Sequence, residues 1–170
     1  LSLHDALPIS ATIPKSASPD DLLTESQIRV LRAINGSLNW LASQSRPDLA
    51  VQTSLSQQAF PAPRIRHLRD ANNAIRRAKM HKELSIRFES ISPENLCVCC
   101  HSDAAFANRG SHTQAGYILA FVDKRMHNGE ISPWTPAIWK SYKLPRAVSS
   151  TLSGEAQALA TASGSVEWLN

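Results

Sequence analysis

LCVCCHSD, from Leu96 to Asp103, and TLSGEAQALATA, from Thr151 to Ala162, carry the clearest strand and helix patterns of the chain. The first is an apolar run that predicts a buried strand ending on an acid. The second predicts a helix that carries the carboxylate Glu155 in its first turn. Two acids from distant stretches, one at a strand end and one facing it from a helix, can hold a divalent cation between them. Most aspartates at strand ends cap turns instead, so the pattern alone leaves both interpretations open.

The composition is that of a globular protein. Of the 170 residues, 42% are hydrophobic and 19% are charged, which excludes a disordered chain. The net charge of +4 favours an anionic partner without identifying it. Because no apolar run is long enough to span a bilayer, we expect no membrane-spanning segment.

The three cysteines lie together in the first apolar run. Strand alternation places Cys97 and Cys99 on one face and Cys100 on the other, so a disulfide between neighbours would be strained. The pattern C-x-C-C without a second pair of ligands is also a poor zinc site. The sequence therefore predicts reduced thiols buried in a strand.

The residues before the first predicted helix fall into two parts. LSLHDALPI, from Leu1 to Ile9, is similar to the translation of a common sequencing-library adapter, so it is interpreted as an artefact and left out of the functional interpretation. Ser10 to Leu23 is rich in serine, proline and aspartate and predicts a linker. Within it, Asp20 and Asp21 predict a turn, because the apolar strands of a polymerase metal site do not flank them.

The first half of the chain predicts helices. From Thr24 to Ser43 apolar residues recur every three or four positions, and Thr24 or Ser26 can cap this helix. A second helix begins at Arg46-Pro47-Asp48 with proline in its first turn, and a third runs from Arg64 to Lys82. Residues 24–83 are therefore predicted to form one helical segment.

The third predicted helix has an apolar face and a basic face. A basic face is most often solvated surface, but a dense and almost unopposed one is also typical of contact with a nucleic-acid backbone. Both interpretations stay open. The candidate nucleic-acid-binding residues are Arg64, Arg66, Arg69, Arg76, Arg77 and Lys79.

From Leu84 onward the sequence changes to strand patterns, and the chain returns to a helix near Ser150. Strands followed by a helix predict the opening half of a mixed α/β layer, and no strand follows this helix within the 170 residues. The predicted strands are Leu84 to Phe88, Leu96 to His101, Gln114 to Val122 and Ala137 to Lys140.

Several stretches together resemble the C-terminal part of a copia-type LTR retrotransposon Pol polyprotein. LRAINGSLNWLASQSRPDLA, Leu31 to Ala50, resembles the segment YRSLVGSLLYLTxTRPDIA that follows the reverse transcriptase palm. His67 to Lys79 corresponds to the basic helix that leads into the ribonuclease H domain. The other similar stretches, in family order, are HSDAAFAN at 101–108, SHTQAGYILAF at 111–121, IWKSYK at 138–143 and VSSTLSGEAQALA at 148–160.

The resemblance implies a fold and a site. Residues 24–83 would be the reverse transcriptase thumb or connection segment, and residues 84–170 the first three strands and first helix of a ribonuclease H-like domain with a mixed sheet. Asp103 and Glu155 match the first two catalytic acids of the family, which bind Mg²⁺ or Mn²⁺ for hydrolysis of RNA in RNA/DNA hybrids. Hard oxygen ligands suit these ions.

The chain also departs from the family pattern. The family's next aspartate lies on a strand after this helix, and neither it nor a fourth acid is among the 170 residues. Ala105 also stands where the family's SDAD motif has its second acid. In the family that second acid is not a metal ligand. We therefore expect an inactive fragment whose partners are an RNA/DNA hybrid or other nucleic acid and the remainder of the Pol polyprotein. The resemblance implies an intracellular location, in a cytoplasmic particle or the nucleus. The alternative is a non-catalytic, nucleic-acid-binding remnant that acts through the basic helix at 64–82.

Overall fold

The computed structural model describes residues 10–109 and 112–169, except for the side chains of residues 107–109. The stretch interpreted as adapter-derived, Leu1 to Ile9, lies outside the described residues. The chain divides into two compact units, of which one ends at Ser85 and the other begins at Ile86. Each unit has its own buried cluster of apolar side chains.

The first unit is helical. Helix α1 spans Glu25–Gln44 and begins at a capping box, in which the Thr24 side chain accepts from the Gln27 amide and the Gln27 side chain accepts from the Thr24 amide. A 3-10 turn at Pro47–Leu49 leads into α2, Ala50–Gln57, and α3 follows at Ile65–Met80. The apolar faces predicted from the spacing meet in one core. Its completely buried members include Leu31, Leu38, Leu49, Leu68 and Ile75.

A buried arginine joins two ends of this helical unit. Arg46 follows α1, is 6% exposed, and donates from Nε and Nη2 to both carboxylate oxygens of Asp48, each at 2.8 Å. Its Nη1 donates to the carbonyl of Ala78 in the last turn of α3, at 3.1 Å, where a helix leaves carbonyls without intrahelical partners. The hydrogen bond from Arg46 lowers the pKa of Asp48 below its ordinary value, against the opposing effect of burial.

The segment predicted as a linker contacts α3. Ala11 and Asn72 exchange two hydrogen bonds of 2.8 Å, and Ile13 and Ala17 pack against the helical core. Apart from an isolated bridge between Leu22 and Arg64, residues 10–23 form neither helix nor strand. The predicted turn at the paired aspartates is present, since the Asp21 amide donates to the carbonyl of Ser18 at 3.2 Å.

The second unit is a three-stranded antiparallel sheet covered on one face by a helix, which confirms the mixed α/β class. Strands β1, Leu96–Arg109, β2, His112–Asp123, and β3, Trp134–Lys143, lie in the order β1-β2-β3. Helix α4, Thr151–Leu169, packs against β1 and β2. None of the helices in the described part of the chain is long and apolar enough to cross a membrane.

Two strand predictions need correction. Leu84 to Phe88 is not a strand in the structure: the side chains of Leu84 and Phe88 are exposed, and the Glu89 amide that follows donates to the Thr135 side chain at 2.9 Å, not to a backbone ladder. The prediction that β1 ends at Asp103 is also wrong. Pairing with β2 continues through Ala104 and Ala105, so the acid lies inside the strand.

Small residues bring α4 close to the sheet. Gly154, Ala158 and Ala162 recur every four residues on the helix and are buried. A Cβ at Gly154 would lie 3.5 Å from the Cβ of Ala104 on β1, which shows how little space separates the two backbones. Further along α4, the Ser165 hydroxyl donates to the Tyr117 hydroxyl on β2 at 2.9 Å.

We predict that Arg46→Ala lowers the free energy of unfolding of the first unit by about 2–4 kcal/mol, because it leaves a partly buried carboxylate and a helix-end carbonyl without their partner. Urea denaturation measures the loss, and Arg29→Ala, which removes an exposed arginine of α1, is the control. Since the folded pKa of Asp48 is depressed, this stabilisation is complete above its ordinary value of 3.8 and is lost as pH falls through the folded pKa. Equal stability of both variants at pH 7 would contradict the structural role.

Position 154 should tolerate one added carbon but not a branched side chain. Gly154→Ala adds an ordinary van der Waals contact and gains helix propensity, so we expect stability to be unchanged or raised by up to about 1 kcal/mol. Gly154→Leu should cost about 1–3 kcal/mol through overpacking. Gly164→Leu on the same helix, where nothing lies within 4 Å, is the matched control. Equal effects of leucine at both positions in urea unfolding would contradict the close contact.

Candidate functional site

Asp103 lies on the edge strand of the sheet. In the described residues β1 pairs only with β2, so its other side is an open edge. Alternation places the Asp103 side chain on the face opposite Ala104, which packs beneath α4. The carboxylate nevertheless turns toward the edge, because its Oδ1 accepts a hydrogen bond from the Ala104 amide at 2.9 Å.

Glu155 reaches the same amide from the helix. It lies beyond the first turn of α4, in which the sequence had placed it, and it is half-buried. Its Oε1 is 3.4 Å from the Ala104 nitrogen, a long contact that Asp103 shares. The two carboxylate oxygens are therefore at most about 6 Å apart, the sum of those two distances. The structure brings the two predicted acids together.

The position of one backbone amide explains this convergence. The Ala104 N–H donates to side chains and not to β2, so it is directed at the open edge of β1. Asp103 reaches it from one face of the sheet, and Glu155 reaches it from the helix on the other face. Close packing at Gly154 is what holds the neighbouring Glu155 within range.

The donor set is compatible with a hard divalent cation. Mg²⁺ commonly uses one or two carboxylates and keeps several waters, with ligand oxygens about 2.1 Å away. One ion bound by both residues requires their oxygens to lie within about 4 Å, a separation that the observed upper limit permits. In residues 10–109 and 112–169 there is no group of three or more histidine, cysteine, aspartate or glutamate residues placed to hold a metal. The described residues therefore supply two protein ligands.

The six basic candidates divide into two groups. The first group holds the segment before α1: Arg64 donates to the Asp20 carbonyl, Arg66 forms an ion pair with the Asp20 carboxylate, and Arg69 donates to the Ala17 carbonyl at 2.9 Å. Arginines whose donors already bond to groups of the protein itself are less available to a phosphate. The structure thus gives these three a structural role that the sequence pattern does not distinguish.

The second group lies on the C-terminal half of α3. Arg76, Arg77 and Lys79 are exposed, and Arg76 donates to the neutral Asn73 amide oxygen at 2.9 Å, so its charge is not neutralised there. Arg77 is close enough to Asp48 to contribute to the lowered pKa of that carboxyl. These three cations form the basic surface of the helical unit.

Sequence reasoning missed the residues that position the carboxylates. Ala104 acts through its backbone, which no side-chain pattern reveals, and Gly154 is visible only as a glycine next to the candidate acid.

The cysteines also differ from the prediction, since all three are half-buried free thiols. Burial and the neighbouring Cys99 raise the pKa of the Cys100 thiol. The Sγ atom of Cys99 lies 3.4 Å from Nε2 of His101.

Comparison with known proteins adds no assignment. No family model, no curated protein and no solved structure matches this chain. The geometry of the carboxylate pair and the resemblance of the ordered motifs are therefore the grounds on which a function is inferred.

Proposed function

We propose that the chain is a fragment of a copia-type retrotransposon reverse transcriptase and ribonuclease H polyprotein. Its parent activity is then the Mg²⁺- or Mn²⁺-dependent hydrolysis of RNA in RNA/DNA hybrids. The observation that carries the proposal is the Ala104 amide shared by the carboxylates of Asp103 and Glu155. Motif resemblance selects these two acids from the sequence, and the backbone brings the same two together from different elements.

The architecture supports the same conclusion at a coarser level. Three antiparallel strands followed by a helix that packs on the first two are what the resemblance implies for the opening half of a ribonuclease H-like domain. Many α/β proteins contain such a unit, so the sheet alone selects no activity. The fold becomes informative because its open edge is the place where the two carboxylates meet.

The chain's own residues would bind the divalent cation and orient the carboxylates that hold it. The Ala104 amide donates to the Asp103 carboxylate and contacts the Glu155 carboxylate, so both acids lie at the open edge of β1, where a nucleic-acid backbone would bind. A bound divalent cation supplies the activation of water and the neutralisation of charge on the phosphate. A site that stabilises both the attacking and the leaving oxygen uses two ions, and two carboxylates are too few ligands to hold both. The 170 residues are therefore expected to bind metal without efficient turnover.

The partners follow from the same proposal. An RNA/DNA hybrid would lie along the carboxylate edge, and further segments of the Pol polyprotein would supply the remaining acids. The expected location is a cytoplasmic particle or the nucleus, where such a polyprotein meets nucleic acid.

A second candidate function is supported by a separate observation. Arg76, Arg77 and Lys79 are exposed on α3, and none of them takes part in a salt bridge within the described residues. A non-catalytic remnant that binds nucleic acid through this basic surface would need no metal. The two candidate functions can be separated by mutation. Replacing the carboxylates would abolish the first, and replacing the basic residues of α3 would abolish the second.

We predict that the chain binds Mn²⁺ at the carboxylate pair. Asp103→Asn and Glu155→Gln should each weaken Mn²⁺ affinity at least about tenfold, because each removes one of two charged ligands. Electron paramagnetic resonance of free Mn²⁺ measures the affinity. Glu167→Gln is the matched control, since this acid is exposed near the other end of α4.

Cleavage of a labelled RNA/DNA hybrid in Mg²⁺ completes this test. The 170-residue chain should leave the hybrid intact, whereas the same chain extended through a following strand and its acid should cut it, and Asp103→Asn should abolish the cut. Unchanged Mn²⁺ affinity in both single variants would refute the site. Efficient cleavage by the 170-residue chain would show that the ligand count is wrong.

The basic surface can be tested separately. Replacing Arg76, Arg77 and Lys79 with glutamine should lower the affinity for duplex nucleic acid at least about tenfold, whatever the sequence of the duplex. The slope of log affinity against log salt concentration should fall in magnitude by about two to three. The matched triple replacement of Arg64, Arg66 and Arg69 removes equal charge but should change affinity less and cost stability. Gel-shift titration at several salt concentrations measures both. Equal losses in the two variants would mean that net charge, not this surface, determines binding.

A further inference from the structure

One face of β1 carries a row of metal-binding residue types. Cys97, Cys99, His101 and Asp103 alternate along the strand and so share the face away from α4. Within the row, His101 is exposed and Cys99 is half-buried, so both are within reach of solvent. The carboxylate pair uses only the last member of this row.

Two members of the row are already at the spacing of ligands on one ion. The Sγ of Cys99 and the Nε2 of His101 are 3.4 Å apart. Zinc bonds of about 2.3 Å to sulfur and 2.0–2.1 Å to nitrogen at a tetrahedral angle place these atoms about 3.6 Å apart. We propose that Cys99 and His101 form a binding site for a thiophilic divalent cation such as Zn²⁺, distinct from the carboxylate pair.

The chemistry of the two ligands sets the selectivity. A thiolate and an imidazole favour Zn²⁺ or Cd²⁺, whereas Mg²⁺ requires oxygen ligands. In the structure the two atoms share a hydrogen bond. When the metal–sulfur bond forms, the thiol proton passes to solvent, and the neutral imidazole donates its lone pair from Nε2. The sites therefore take different ions although they lie two residues apart.

The ligand count makes this an open site. Because the described residues contain no group of three or more metal ligands, Cys99 and His101 occupy two of four tetrahedral positions, and water or an added anion takes the others. An ion held in this way exchanges readily. The site does not depend on the proposed ribonuclease ancestry, since neither carboxylate takes part.

The strand provides its own controls. Cys97 lies on the same face with no imidazole at this distance in the described structure, and Cys100 lies on the opposite face. If thiols bound metal without regard to position, all three would behave alike. Loss of metal binding in a Cys99 variant alone would therefore identify Cys99 and His101 as the ligands.

Cd²⁺ is the probe, because its bond to a thiolate absorbs in the ultraviolet. The full chain, reduced and free of excess thiol, is titrated with Cd²⁺, and Zn²⁺ is then added as competitor. Cys99→Ser and Cys99→Ala should abolish the saturable absorbance, and His101→Ala should weaken affinity at least about tenfold. Cys97→Ser, Cys100→Ser and Asp103→Asn should bind like the parent chain, and millimolar Mg²⁺ should leave the signal in place while Zn²⁺ removes it.

Several outcomes would overturn the proposal. Equal loss in the three cysteine variants would show non-specific thiol binding, and parent-like affinity of His101→Ala would exclude the pair. Displacement by Mg²⁺, or loss in Asp103→Asn, would assign the signal to the carboxylate pair. Circular dichroism of each variant establishes that it is folded, and two replacements at Cys99 guard against a substitution that unfolds the sheet.

Discussion

The second unit depends on the close contact between α4 and β1 at Gly154. With no side chain there, the helix backbone approaches Ala104 until a single added carbon would already be in contact. Ala158 and Ala162 continue the same small-residue seam along the sheet. A helix held farther away by leucine-sized residues would carry Glu155 with it, and the carboxylate would no longer reach the edge amide. Packing geometry, more than charge, therefore creates the candidate site.

The first unit shows that a count of cations is a poor guide to a binding surface. Arg46 is almost completely buried and bonds to Asp48 and a helix-end carbonyl, while other arginines at the start of α3 hold the segment before α1. Arginine suits such roles because its planar group donates several hydrogen bonds in fixed directions. Arg76, Arg77 and Lys79 at the other end of α3 stay exposed to an external anion. Arginines thus bond to other parts of the protein at one end of the helix and are exposed to solvent at the other.

Much of the fold follows from the sequence because periodicity and caps are local signals. The spacing of apolar residues predicted all three helices of the first unit, and Thr24 is the observed cap. The assignment of Leu84 to Phe88 as a strand failed because alternation does not show whether a partner edge exists. The approach of Asp103 and Glu155 was one of two interpretations that the sequence pattern left open, and the resemblance favoured it. Alternation by itself places the two side chains on opposite faces of the sheet. They meet only because both carboxylates reach the Ala104 amide at the open edge of β1.

The open edge of β1 also bears on solubility. From Leu96 to Ala105 the strand contains no lysine, arginine or proline, the residues that usually prevent two sheet edges from joining. Asp103 is the only acid in that stretch, and Glu155 adds a second negative charge beside it. Two copies that paired through this edge would bring carboxylates together in a partly dehydrated space, where like charges repel. The acids that resemble catalytic ligands would therefore oppose pairing between two such edges, and a bound cation that neutralises them would weaken this opposition.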